Sequence, residues 1–146
     1  MKFGLLLSLM LASCGAPDGR LPGKQAEPKL EGAIVAPGGL AGTKWTVTAI
    51  NGAAVPGGPR YFLNFDDDRI AAGFGCNSFG GAFRLNGDHL STSDLHATEM
   101  ACDGSAMTHE QQGGAILSSN MRVERASDET MRLVSEAGSI DMRRAS

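Results

Sequence analysis

Clusters of positive charge are missing from this chain of 146 residues. Its 13 lysines and arginines are outnumbered by 16 aspartates and glutamates, for a formal charge of −3. The basic residues are scattered, and Arg143-Arg144 is the only adjacent pair. Nucleic-acid binding rests on clustered Lys and Arg facing phosphates, so this balance argues against a nucleic-acid partner. Long apolar runs are also lacking. The stretch from Phe3 to Ala12 is broken by Gly4 and Ser8 and falls short of the roughly 20 apolar residues that cross a bilayer core. No later segment approaches a span.

Several chemical signatures are absent as well. The glycines around Cys76 are not followed by Gly-Lys-Ser/Thr, which excludes a phosphate loop. No Gly-x-Ser-x-Gly elbow is present. Asp66-Asp67-Asp68 lacks the spacing of a calcium loop and reads as a solvated turn. No cofactor is expected.

What is present begins at the N-terminus. Lys2 precedes a short apolar core, and small residues precede Cys14, as in a secretory signal. Leu11-Ala12-Ser13-Cys14 resembles the lipobox of bacterial lipoproteins. That resemblance implies a signal peptide over residues 1–13, cleavage before Cys14, and lipid on its sulfur and amine. Each buried methylene contributes about 0.8 kcal/mol, and several chains give stable anchoring. Gly15, where aspartate would retain the protein in the inner membrane, implies the outer membrane. The membrane is thus an expected contact through the anchor, with the domain facing the periplasm.

Residues 14–41 read as a flexible tether. Four of the six prolines (Pro17, Pro22, Pro28 and Pro37) lie there among glycines and alternating charges. As a random coil its ends would lie on the order of 30 Å apart. Gly32 to Ala36 is the one stretch in it that has the makings of an edge strand.

Residues 42–146 suffice for one compact domain. Their apolar residues mostly alternate. Trp45, Val47 and Ala49 share a face, and Asn51-Gly52 is a turn signal. Tyr61, Leu63 and Phe65 alternate next, then Ile70, Ala72 and Phe74, then Phe79, Phe83 and Leu85. A short strand follows near His89 to Thr92. The period breaks after Cys102, and Ser105 to Ser118 is the expected helix, capped by Asp103 or Ser105. Strands resume at Met121 to Ala126, Thr130 to Ser135 and Ser139 to Arg143. The expected fold class is β-rich α+β: one antiparallel, partly closed sheet of seven or eight strands with one helix packed on it.

Two blocks go beyond periodicity. One is Gly73-Phe74-Gly75-Cys76-Asn77-Ser78-Phe79-Gly80-Gly81; the other is Thr98-Glu99-Met100-Ala101-Cys102, followed by Glu110 in the helix. Together they resemble the META domain, a family that includes the heat-shock-associated HslJ-like lipoproteins of bacteria. The motif residues are Gly75, Cys76, Asn77, Phe79, Gly81, Thr98, Met100, Cys102 and Glu110. One departure is Gly113-Gly114, standing where the family pattern places an aromatic after Glu110. The resemblance implies a small β-rich domain of a family associated with envelope stress and virulence, without an established catalytic activity.

The cysteines follow from the anchor. With Cys14 lipidated, Cys76 and Cys102 remain in an oxidising compartment. An even remainder favours a disulfide, worth roughly 3–4 kcal/mol in the chain-entropy model. Two rivals stand beside it. Cys76, Cys102, His96 and His109 offer zinc-ligand atoms but lack close spacing. Cys76 with His96 as base would make a nucleophile, without any known local signature. The reading is a monomeric, non-enzymatic outer-membrane lipoprotein that acts by binding a periplasmic or outer-membrane protein partner. Its alternatives are a pilot or chaperone, an inhibitor-type lipoprotein and, last, a thiol- or metal-dependent enzyme.

Overall fold

Alternating stretches become strands because one face of each can be buried while the other meets water. The computed structural model describes residues 39–146, so the leader, Cys14 and the tether up to residue 38 lie outside the described residues. The elements are β1 (Thr43–Ile50), β2 (Ala53–Ala54), β3 (Tyr61–Phe65), β4 (Arg69–Phe74), β5 (Ser78–Asn86), β6 (His89–Ala97), α1 (Ser105–Leu117), β7 (Met121–Arg125), β8 (Thr130–Ser135) and β9 (Gly138–Arg144). β1 pairs with β3, every later strand pairs antiparallel with the next, and β9 returns to β1. Eight strands thus close into a barrel, and β2 is a two-residue extension folded back on β1. The sheet is more complete than the partly closed one expected from the sequence. Alternation reports which face is buried and says nothing of whether the last strand meets the first.

Trp45, Leu63, Phe74, Leu90, Leu133 and Ile140 point inward and are fully buried. Each such side chain contributes about 1.5–3 kcal/mol relative to exposure. A register shift between Val47 and Ala49 interrupts β1. It carries Ile50 inward in place of Ala49, correcting the face expected from strict alternation.

β6 runs five residues past Thr92, where its polar sequence gave no strand signal. A bulge makes this possible: Gly80 pairs with His96 and Ala82 with Ser93, so β6 carries one extra residue near Asp94, whose φ is 52°. A Cβ on Gly81 would sit 2.8 Å from the Ser93 carbonyl oxygen, which is why the motif needs glycine there.

The chain leaves the sheet between β6 and β7 to form α1, which packs on β4, β9 and β1. Its N-cap is Gly104, at φ 72° and with no side-chain cap bond, rather than Asp103 or Ser105. At the other end, the Thr92 hydroxyl donates to the Leu117 carbonyl at 2.5 Å. Ile116 and Leu117 are buried. The two helix glycines make this docking possible: Gly113 lies against the Phe74 ring and Gly114 against Phe79. The aromatic that the helix lacks is thus supplied by the sheet. A Cβ at Gly113 would overlap the Phe74 ring. Gly113→Ala gains about 1 kcal/mol of helix propensity, but overpacking costs about 1–3 kcal/mol. We expect a net loss in urea denaturation. A stabilised variant would show that the ring can yield.

Candidate functional site

Between β4 and β5 the chain bends through Gly75-Cys76-Asn77. Gly75 has φ 105°, and a Cβ there would sit 2.5 Å from the Tyr61 hydroxyl, so only glycine fits. The bend aims the Asn77 side chain into the molecule, where the residue is 4% exposed. Its amide oxygen accepts from the Thr98 hydroxyl at 2.8 Å and the Met100 backbone N–H at 2.7 Å. Its amide nitrogen donates to the Met100 carbonyl at 3.0 Å and to the Glu110 carboxylate at 3.0 and 3.1 Å. The Asn77 backbone N–H donates to the same carboxylate at 3.1 Å. The Ser78 N–H donates to the Thr98 hydroxyl at 3.1 Å, and the Thr98 N–H returns a bond to the Ser78 carbonyl at 3.0 Å.

The Cys76–Cys102 disulfide joins the same two segments. Phe79 packs near Phe74, with ring centroids 5.7 Å apart. Gly81 serves the bulge described above. The two sequence blocks and Glu110 therefore meet in one hub that ties the β6–α1 loop and the helix to the β4–β5 bend. Every polar end of Asn77 is spent on the protein itself. Met100 is the exception in exposure: the hub holds its backbone N–H and carbonyl, while the residue as a whole stays 51% exposed.

The zinc-type set does not converge. His96 lies over Gly80, with Nδ1 3.2 Å from the Asp94 carbonyl, while His109 Nδ1 lies 2.9 Å from the Tyr61 hydroxyl. Both thiols are in the disulfide. Among the described residues no group of three or more His, Cys, Asp or Glu is placed to hold a metal ion.

A second constellation escaped the sequence reading. Arg125, the last residue of β7, follows the inward phase of Met121 and Val123 and is only 7% exposed. Its guanidinium carbon lies 5.7 Å from the centroid of the buried Trp45 ring, and that of Arg144 lies 5.4 Å from it. Among the described residues neither arginine forms an ion pair, and Nε and Nη2 of Arg125 have no hydrogen-bond partner. The signal was available: in Met121-x-Val123-x-Arg125 a charge occupies an inward position.

Arg125 also lines a cleft of about 750 Å³ with Ala126, Thr130, Met131, Met142 and Arg143 among its neighbours. On the cleft's wall Arg132 donates to Asp141 at 2.5 Å, and that hydrogen bond and charge raise the Arg132 pKa.

Solved structures share this architecture. A protein from Burkholderia xenovorans, determined by NMR, aligns with a TM-score of 0.61 at 22% identity, covering 73% of this chain and 84% of that one. A second NMR structure aligns with a TM-score of 0.61 at 19% identity, covering 71% of this chain and 90% of its own. At these identities the likeness concerns the fold. No curated protein matches the chain. The META domain model matches residues 38–145, a span that holds the barrel, the helix and the whole hub. The hub is where the two sequence blocks meet, and by that match the chain belongs to the META domain family.

Proposed function

We propose that this protein is a non-enzymatic outer-membrane lipoprotein whose META domain faces the periplasm and supports envelope integrity under stress by binding. The observation that carries the reading is Leu11-Ala12-Ser13-Cys14 behind a short apolar leader. The disulfide between Cys76 and Cys102 fits an oxidising compartment. The non-enzymatic part is supported by the hub, whose Asn77 and Glu110 are bonded to each other and whose thiols are joined.

The anchor is tested by Cys14→Ser. Wild-type protein is expected in the membrane fraction, released by detergent and heavier than the cleaved chain by the mass of its lipid. The variant is expected in the soluble fraction. Equal partitioning of the two would refute lipidation. The physiological role is tested separately in a deletion strain. Reduced tolerance of heat, detergent and hydrophobic antibiotics is expected, and unchanged tolerance would remove the stress assignment.

A further inference from the structure

We infer that the Arg125–Trp45–Arg144 constellation is a binding site for a carboxylate carried on an apolar body. The inference names a ligand chemistry for the binding role proposed above.

Burying a guanidinium costs free energy unless its donors are satisfied. Arg125 is more than nine-tenths buried, and its Nε and Nη2 make no hydrogen bond among the described residues. These two nitrogens share one edge of the guanidinium. Their N–H bonds form the fork that meets the two oxygens of a carboxylate in a bidentate pair. The cation–π contact with Trp45, 5.7 Å from the ring centroid, holds the guanidinium without consuming a hydrogen-bond donor. Arg144, against the same indole, adds a second positive charge that has no acidic partner among the described residues. The cleft that Arg125 lines is the ligand's approach, and a side chain there must shift to admit it because both nitrogens are sealed from solvent. The cleft's lining combines Ala126 and the largely buried Met131 and Met142 with Glu124 and the Arg132–Asp141 pair.

A purely structural role fits less well. A cation–π brace alone would not require two donors to stay unpaired in a closed space.

Trp45 is the only tryptophan, so its fluorescence reports on this site alone. The full chain, held in non-ionic detergent, is titrated with N-acetylphenylalanine, its neutral amide, octanoate and inorganic phosphate. We expect a saturable change in Trp45 emission with at least one carboxylate and none with the amide. N-acetylphenylalanine binding more tightly would identify a peptide C-terminus as the source, and octanoate a fatty acid. Arg125→Lys keeps the charge but loses the fork, and should weaken binding by about tenfold or more. Arg125→Met should abolish the response while Tm holds or rises.

No saturable response to either carboxylate would overturn the assignment. So would an equal response to acid and amide, or tighter binding of phosphate. A marked fall in Tm for Arg125→Met would show a structural brace instead. Because the Cys14→Ser fractionation tests only the anchor, the two readings fail independently.

Discussion

Asn77→Ala is expected to lower the stability of the domain by about 3–5 kcal/mol, the largest effect of any single polar substitution in the hub. Truncation removes a small side chain, so the loss does not come from apolar burial. It comes from what is left behind. The Met100 N–H and carbonyl, the Thr98 hydroxyl and the Glu110 carboxylate each lose a partner in a part-buried place. Each unsatisfied buried group costs about 1–3 kcal/mol. Net stability of a domain this size is about 5–15 kcal/mol, so much of it would go. Tm should fall by roughly 15 °C or more.

Thr98→Ala removes a single hydroxyl from the hub and should cost about 1 kcal/mol. Asn77→Asp sets a second carboxylate against Glu110. Its destabilisation should shrink as pH falls, because protonating either carboxyl removes the repulsion. Urea denaturation of the set decides the matter. An Asn77→Ala variant within about 0.5 kcal/mol of wild type would show that the hub contributes nothing beyond ordinary surface contacts.

Loss of the disulfide is expected to cost about 3–4 kcal/mol. The bridge spans a sequence separation of 26 residues, and a loop of that length sets this magnitude in the chain-entropy model. Cys76→Ala with Cys102→Ala should therefore unfold at lower urea, and reducing the wild-type protein should do the same. The hub and the bridge join the same two segments, so their losses should not add. Without the bridge, Asn77 with its partners and the Ser78–Thr98 bonds hold the β6–α1 loop to the bend, and Asn77→Ala should cost more than in the oxidised protein. A double-mutant cycle gives the coupling. Strict additivity would mean that hub and bridge act on independent parts of the structure.

Much of this fold could be read from the sequence because alternation is a local signal. Tyr61, Leu63 and Phe65 announced β3, and Met131 and Leu133 announced β8, since each buries every second residue. What escaped was non-local or irregular. Closure depends on Trp45 meeting Arg144 and Val47 meeting Met142 from opposite ends of the chain, which no window of sequence contains. The second half of β6 escaped because Ser93, Asp94 and His96 bury little and the bulge breaks the period. The hub was legible as two blocks, but not as one object. That Asn77 spends both ends of its amide within the protein follows only from where Glu110 and Met100 arrive in space. Arg125 carries a charge that by itself suggests the surface, and only its phase with Met121 and Val123 marks it as interior.

The closed ring also limits how another chain can recognise this domain. Extended peptides commonly bind by adding a strand to an exposed sheet edge, where unpaired N–H and C=O groups are available. Here β1, β3, β4, β5, β8 and β9 have a hydrogen-bonded strand on each side. The exceptions among the described residues are the two-residue β2, the stretch of β6 beyond Leu90 and that of β7 beyond Arg122, where β6 and β7 no longer pair. At β6, Thr92 is already bonded to the end of α1, and Asp94 kinks the backbone. Strand addition, in recognition and in aggregation alike, is thereby discouraged over most of the circumference. What the frame offers instead is side chains: the Met100 tip held by Asn77 and, in the site inferred above, Arg125 and Arg144 beside Trp45.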